Sequence, residues 1–253
     1  MLDVVGGSHA MISLLGVTAR GLCTTMRISL ADVGRIAILR GLSPEIHVDF
    51  ASRAIPLTAR AGRRILLHLD ESEDVYFILS GRVRTNLIAD SGRQVTYQLL
   101  GAGEMFGELS AIDGLPRSAS VYAEETSRLA KLTGAQFRSL VRRHPELALR
   151  SMERIASLAR WLAQKLFEVH TYNVRGRIYI ELLRLHEGDD SGTLSGVAVA
   201  DRDMASRVGT TRENVNRIYA ELRKEGLIER RAGAIWLKDP ARLRQLLEGT
   251  TFG

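Results

Sequence analysis

The chain has one cysteine, Cys23, among 253 residues. One thiol excludes an internal disulfide framework and any zinc–thiolate or iron–sulfur cluster built within a single chain, and it fits a reducing compartment. No run of about 18 uninterrupted apolar residues occurs, so no membrane-spanning helix is expected. Prolines number five and glycines 23, too few for a collagen or a low-complexity polymer. The histidines (His9, His47, His68, His144, His170, His186) never stand three or four apart, so no helical metal pair is expected. No Ser/His/Asp or Cys/His grouping and no Walker loop stands out, and an enzyme is not expected.

What is present is an ordinary globular composition, 45% apolar and 25% charged, in a length that suits two modest domains. The formal net charge of +6 fits a polyanionic partner. Residues 1–28 read as a flexible extension. Their opening lacks the basic region of a secretory signal, since Asp3 is its only fixed charge.

Four textures follow. Residues 29–50 look helical, with a restart at Ser43–Pro44. Residues 53–133 look β-rich, with strand-like runs at Arg64–Leu69, Asp74–Leu79, Val83–Ala89, Gln94–Leu100 and Ser118–Ala123, separated by turn signals such as Asp90–Ser91–Gly92. Many short strands at close spacing suggest a barrel or jelly roll. The acidic cluster Asp70, Glu71, Glu73 and Asp74 reads as a solvated turn. From Glu146 to Tyr172, Met152, Ile155, Ala159, Leu162, Leu166 and Val169 alternate at spacings of three and four, a heptad seam that points to self-dimerisation. A compact helical region then follows, interrupted by a Gly/Ser/Asp loop at Gly188–Gly196.

The C-terminal pattern is specific. Asp201–Val208 makes a short helix, Gly209 suits a left-handed turn, and Thr210 or Thr211 can cap the next helix. That helix buries Val215, Ile218, Tyr219 and Leu222 and exposes Arg212, Glu213, Asn216, Arg217 and Lys224. Leu227–Glu229 and Ile235–Leu237 read as a hairpin around Arg231–Ala232–Gly233. Helix, glycine turn, helix and hairpin make a winged helix-turn-helix, whose second helix enters the major groove by its N-terminus. There, Arg212 can take guanine O6 and N7, and Glu213 can accept from cytosine N4.

A second segment, 101–121, holds glycines, one carboxylate and one arginine in a short connection between strands. Gly107 lets the backbone approach a ligand closely, a turn starting near Glu108 aims N–H groups at an anion, and Arg117 offers a fork-shaped cation. Glu108 beside a phosphate is tolerable if it accepts from a hydroxyl such as a ribose 2′-OH, and Ser118 can donate to the phosphate.

Phe106-Gly107-Glu108-Leu109 with Pro116-Arg117-Ser118-Ala119, together with Thr211-Arg212-Glu213-Asn214-Val215-Asn216-Arg217, resembles two motifs of the CRP/FNR family of bacterial transcription regulators. The resemblance spans residues 29–250. It implies an α+β fold: a β-roll (jelly-roll) cyclic-nucleotide-binding domain over 29–146, a dimerisation helix over 147–174 and a winged helix-turn-helix DNA-binding domain over 175–253. By resemblance Glu108 holds the ribose, and Arg117, Ser118 and the backbones of Gly107 and Leu109 hold the cyclic phosphate. Arg212, Glu213 and Arg217, with Thr211 and Asn216 beside them, meet a TGTGA-like inverted repeat, and Arg202 meets a DNA phosphate. Leu162 and Ala163 stand where the family's activator turns a Thr-Ser pair toward the purine. The implied effector is cAMP or cGMP, with no cofactor and no metal. The implied partners are double-stranded DNA, a second copy of the chain and RNA polymerase, with no membrane, in the cytoplasm. Arg117, as a ligand clamp, is expected to be dispensable for folding.

Overall fold

The computed structural model describes residues 28–88, 94–187, 201–231 and 234–251. Nearly all of the expected N-terminal extension, the turn at Asp90–Gly92, the loop at Gly188–Gly196 and the tip of the expected hairpin at Ala232–Gly233 lie outside the described residues.

The chain opens with two short helices, α1 (Leu30–Arg35) and α2 (Pro44–Arg53), joined through a 3-10 turn at Ala37–Leu39. Ser29 caps α1 by accepting from Asp32 N, and Pro44 starts α2 where its missing N–H costs nothing. Strands β1 (Ile55–Ala59), β2 (Arg64–Leu66), β3 (Val75–Ser80), β4 (Val83–Ile88), β5 (Gln94–Leu100) and β6 (Met105–Phe106) follow. The helical turn α3 (Glu108–Asp113) then leads to β7 (Ser120–Ala123) and β8 (Ser127–Leu132). They form two four-stranded sheets, ordered β1-β8-β3-β6 and β2-β7-β4-β5, with every pairing antiparallel. This is the roll expected from many short strands.

Strand β3 shows why the two layers hold. Val75, Phe77 and Leu79 pack toward the helices, while Tyr76 and Ile78 face the other sheet. Alternate residues of a strand point to opposite faces, so a strand buried on both sides must be apolar throughout, as this one is. Phe50 of α2 meets Phe77 edge to face at 4.9 Å, and Phe137 closes the same cluster. Burying each such ring contributes about 1.5–3 kcal/mol. Phe137 belongs to α4 (Gly134–Arg143), which starts with a reciprocal capping box between Thr133 and Gln136.

Helix α5 (Pro145–Thr171) runs 27 residues, about 40 Å at 1.5 Å per residue. Its base packs through Leu147 into the α1–α2–α4 core. Met152, Leu162, Leu166 and Val169 are 59%, 46%, 62% and 51% exposed, and Ala159 is exposed too. Of the expected seam, Ile155 alone is half-buried.

Beyond a two-residue hinge lie α6 (Val174–Glu187), α7 (Asp201–Val208), α8 (Arg212–Lys224), the hairpin β9 (Ile228–Arg231) and β10 (Ala234–Leu237), and α9 (Pro240–Leu247). They share one apolar core that includes Ile178, Leu182, Met204, Val215, Ile218, Leu222, Ile235 and Leu243. The hinge is bound on both sides. Asn173 Oδ1 accepts from Gly176 N at 3.1 Å, Asn173 N donates to Thr250 O at 3.0 Å, and Tyr172 pairs with Thr251. At Gly176 an added Cβ would lie 2.3 Å from Thr250 Oγ1, so only glycine admits this approach.

Candidate functional site

A cleft opens between the β-roll and α5. Its lining includes Leu66, Thr85, Gln98, Gly107, Glu108, Leu109, Arg117 and Ser118, faced across the gap by Arg154 and Leu158 of α5. The empty space is about 450 Å³ counting the open mouth.

Strand β6 ends at Gly107, whose φ of +84° turns the chain into α3. A Cβ there would lie 2.7 Å from Asp74 O and 2.9 Å from Arg117 Nη1, so both conformation and crowding require glycine. Glu108 follows and is 4% exposed. Burial pushes its carboxyl above the ordinary value, opposed by its own backbone N–H and by the charges of Arg154 and Arg117.

Arg117 is 2% exposed and already bonded to its own chain. Its Nε donates to Ser72 Oγ at 3.0 Å, Nη1 to Gly107 O at 2.8 Å and Nη2 to Asp74 O at 2.8 Å. A guanidinium has five N–H donors, so two remain for a guest. Arg117 ties the β2–β3 connection to the turn before α3, which speaks against the expectation that it is dispensable for folding. The acidic cluster is likewise no mere solvated turn. Asp74 pairs with Lys131 at 2.8 Å, Glu73 with Arg138 at 2.8 Å, and Asp70 O accepts from Arg117 N.

Leu162 and Ala163 do not line the cleft. One helical turn beyond Leu158 carries them past its edge, and both are exposed. Sequence reasoning missed Arg154, whose Nη2 donates to Met105 O at 3.3 Å while its buried Nε has no hydrogen-bond partner among the described residues. It stands between Met152 and Ile155 of the seam, on the face turned to the β-roll, and that offset from the apolar stripe was the available signal.

At the other end, Gly209 adopts φ +67° and Thr211 caps α8 by accepting from Asn214 N at 3.3 Å. Thr211, Arg212, Glu213, Asn216 and Arg217 are all exposed, while Val215, Ile218, Tyr219 and Leu222 are buried. The α8 backbone N–H and the Thr211 hydroxyl hold the Glu213 carboxyl below its ordinary value, with Arg212 assisting. Arg202 lies on α7; the position of its side chain lies outside what is described.

Residues 56–144 match the cyclic nucleotide-binding domain family, and residues 176–246 match the Crp-like helix-turn-helix domain. Over 221 residues the chain is 31% identical to the cyclic AMP receptor protein of Thermus thermophilus, covering 85% of this chain and 97% of that one. This chain belongs to the CRP/FNR family of transcription regulators. Within the family, it is 26% identical to the CRP-like cAMP-activated global transcriptional regulator of Mycobacterium tuberculosis, over 83% of this chain and 96% of the relative. The solved structure of the c-di-GMP responsive global regulator CLP of Xanthomonas campestris shares the fold, with a TM-score of 0.69 at 18% identity over 78% of this chain and all of that one. The CRP/FNR protein described here is thus a cyclic-nucleotide-binding, DNA-binding transcription regulator. Among the described residues no helix is long and apolar enough to cross a membrane, and no cluster of three or more potential metal ligands occurs.

Proposed function

We propose that this regulator is a homodimer whose grip on an inverted-repeat operator is gated by cAMP or cGMP. The observation that carries the proposal is the double duty of α5. Its Arg154 and Leu158 close the cleft opposite Glu108 and Arg117, its exposed apolar stripe suits a second copy of the same helix, and its end is the hinge to α6. The cyclic phosphate takes the two remaining N–H groups of Arg117, the Ser118 hydroxyl and the Gly107 and Leu109 backbones, and the ribose hydroxyl donates to Glu108.

A nucleotide in this cleft engages α5 through Arg154 and Leu158. It shifts the equilibrium between arrangements of α5 only by its differential affinity for them. Two recognition helices must lie ~34–36 Å apart to occupy successive major grooves, and rotation at the hinge sets that spacing. Arg212, Glu213 and Arg217 read base edges of a TGTGA-like half-site, with Thr211 and Asn216 beside them and Arg202 on a phosphate. The division into sensor (29–146), dimer helix (147–174) and reading domain (175–253), the meeting with RNA polymerase and the cytoplasmic setting belong to the same reading.

A second reading keeps the architecture with a different effector, or with none. The absence of Leu162 and Ala163 from the cleft, and their lack of hydrogen-bonding side chains, favour it. Titrating cAMP and cGMP into an operator-binding assay at fixed salt tests the first reading. DNA affinity unchanged by either nucleotide refutes the gating and leaves the second reading standing.

A further inference from the structure

Between the recognition helix and the wing lies a second cleft, of about 450 Å³, lined by Asn216, Tyr219, Arg223, Arg230 and Ile235. Asn216, Tyr219 and Arg223 stand three and four residues apart, on one face of α8, and Arg230 reaches in from β9. Two observations set the cleft apart from an ordinary solvated surface. The Arg223 guanidinium is exposed and makes no salt bridge among the described residues. The Tyr219 hydroxyl is buried, in a residue 4% exposed, yet has no hydrogen-bond partner among the described residues. Leaving a buried hydroxyl unpaired costs its full desolvation, a cost that an incoming acceptor would remove. Burial raises the Tyr219 phenol above its ordinary value, so it remains a donor at neutral pH.

Position decides which acceptor. The N-terminal turn of α8 carries the base-reading side chains, and Arg223 lies eleven residues beyond Arg212, ~16 Å along the axis at 1.5 Å per residue. The major groove is only ~12 Å wide. A helix with Arg212 on the groove floor therefore brings Arg223 to the groove wall, where the sugar–phosphate backbone runs. Arg230 bonds Asp201 through Nη2 at 2.6 Å, and its other donors stay available.

We infer that this cleft is a seat for one backbone phosphate of the bound duplex, gripped by Arg223 and Arg230 at its rim, with the Tyr219 hydroxyl donating from below. The inference rests on the DNA-binding reading and adds three residues that sequence motifs did not single out. The phosphate supplies acceptor oxygens and negative charge, carries no base information, and fixes the register from which Arg212 and Glu213 read.

The test measures fluorescence anisotropy of a labelled duplex bearing a TGTGA inverted repeat and of a random-sequence duplex, across a salt series, with full-length protein, nucleotide-free and saturated with cAMP or cGMP. Each phosphate neutralised contributes about −0.9 to the slope of log K against log salt. The double variant Arg223→Gln/Arg230→Gln is expected to flatten the slope by about one on both duplexes, with the ratio between duplexes unchanged. Tyr219→Phe is expected to bind both duplexes roughly two- to tenfold more weakly, the worth of one hydrogen bond, while the free protein melts no lower than wild type. Arg212→Ala serves as the contrast and narrows the ratio. Variants that match wild type in slope and affinity overturn the phosphate seat alone. Wild-type protein that binds neither duplex, whether nucleotide-free or saturated with cAMP or cGMP, removes the DNA reading and this inference with it.

Discussion

Replacing Arg117 by alanine tests whether the effector clasp is also a structural tie. The substitution removes donors from Ser72 Oγ, Gly107 O and Asp74 O, at 3.0, 2.8 and 2.8 Å. Hydrogen bonds from a charged group contribute about 1.5–3 kcal/mol each, and buried acceptors left without a donor cost about 1–3 kcal/mol. Against this, the variant no longer buries a guanidinium, whose desolvation costs several kcal/mol. The terms leave a net loss of about 3 kcal/mol, or roughly 6–12 °C in melting temperature for a chain of this size. Arg117→Lys keeps the charge, but its single ammonium cannot span three acceptors set in a fork, so about half the loss is expected. Thermal unfolding of the nucleotide-free protein by circular dichroism reads both variants. An alanine variant that melts within about 2 °C of wild type, with an intact roll, would show that the guanidinium does not hold the β2–β3 connection to α3. Titration calorimetry with cAMP on the same samples separates this from the expected loss of ligand affinity.

Three further outcomes are expected. Glu108 is buried with its carboxyl raised, which means that the folded chain holds its proton more tightly than the unfolded chain does; this favours folding at low pH and is lost as pH rises through the folded value. Glu108→Gln is therefore expected to melt higher than wild type at pH 7 without ligand while binding cyclic nucleotide at least tenfold more weakly; a lower melting point would contradict the burial argument. Glu181 behaves oppositely: burial raises its pKa, but Lys165, Arg207 and Arg184 outweigh that and hold it below its ordinary 4.5. Its stabilisation is present above that value and drains away as pH falls through the folded value, so Glu181→Gln is expected to weaken the protein at pH 7 by a margin that shrinks under acid; a pH-independent difference in melting temperature would refute this. Leu166→Asp, at a position 62% exposed on α5, is expected to turn dimer into monomer in sedimentation velocity without lowering secondary structure; an unchanged dimer would move the interface elsewhere.

Much of the fold was legible because its signals are local. Strand-like runs between turn signals marked β3 and β4, the heptad spacing marked α5, and Gly209 with Thr211 marked the turn into α8. Strand β8 escaped as a named strand because Arg128 and Lys131 stand three apart within it, so it shows neither the unbroken apolar run of β3 nor a two-residue alternation. Helix α4 was missed although Thr133 and Gln136 stand at capping-box spacing; this was an overlooked signal. Phase was harder to judge than identity. The resemblance set Leu162 and Ala163 toward the purine, whereas the α5 residues that line the cleft in this single chain are Arg154 and Leu158, a turn earlier. Where two elements touch depends on how far one leans against the other, and spacing within one element does not record that. The same holds for Arg117: its residue type announced an anion, but its three oxygen partners come from positions distant in the chain.

The joint between α5 and α6 consists of Tyr172 and Asn173 alone, and both are fastened to the strand of chain at Thr250 and Thr251. Such a joint can pivot but has no slack to stretch. Tyr172 is extended rather than helical, so a single residue inserted there would add up to ~3.3 Å of chain and displace the reading module against both anchors. Changes in the cleft wall leave the joint's length alone, whereas a change in that length would displace the recognition helix from the position the two anchors set.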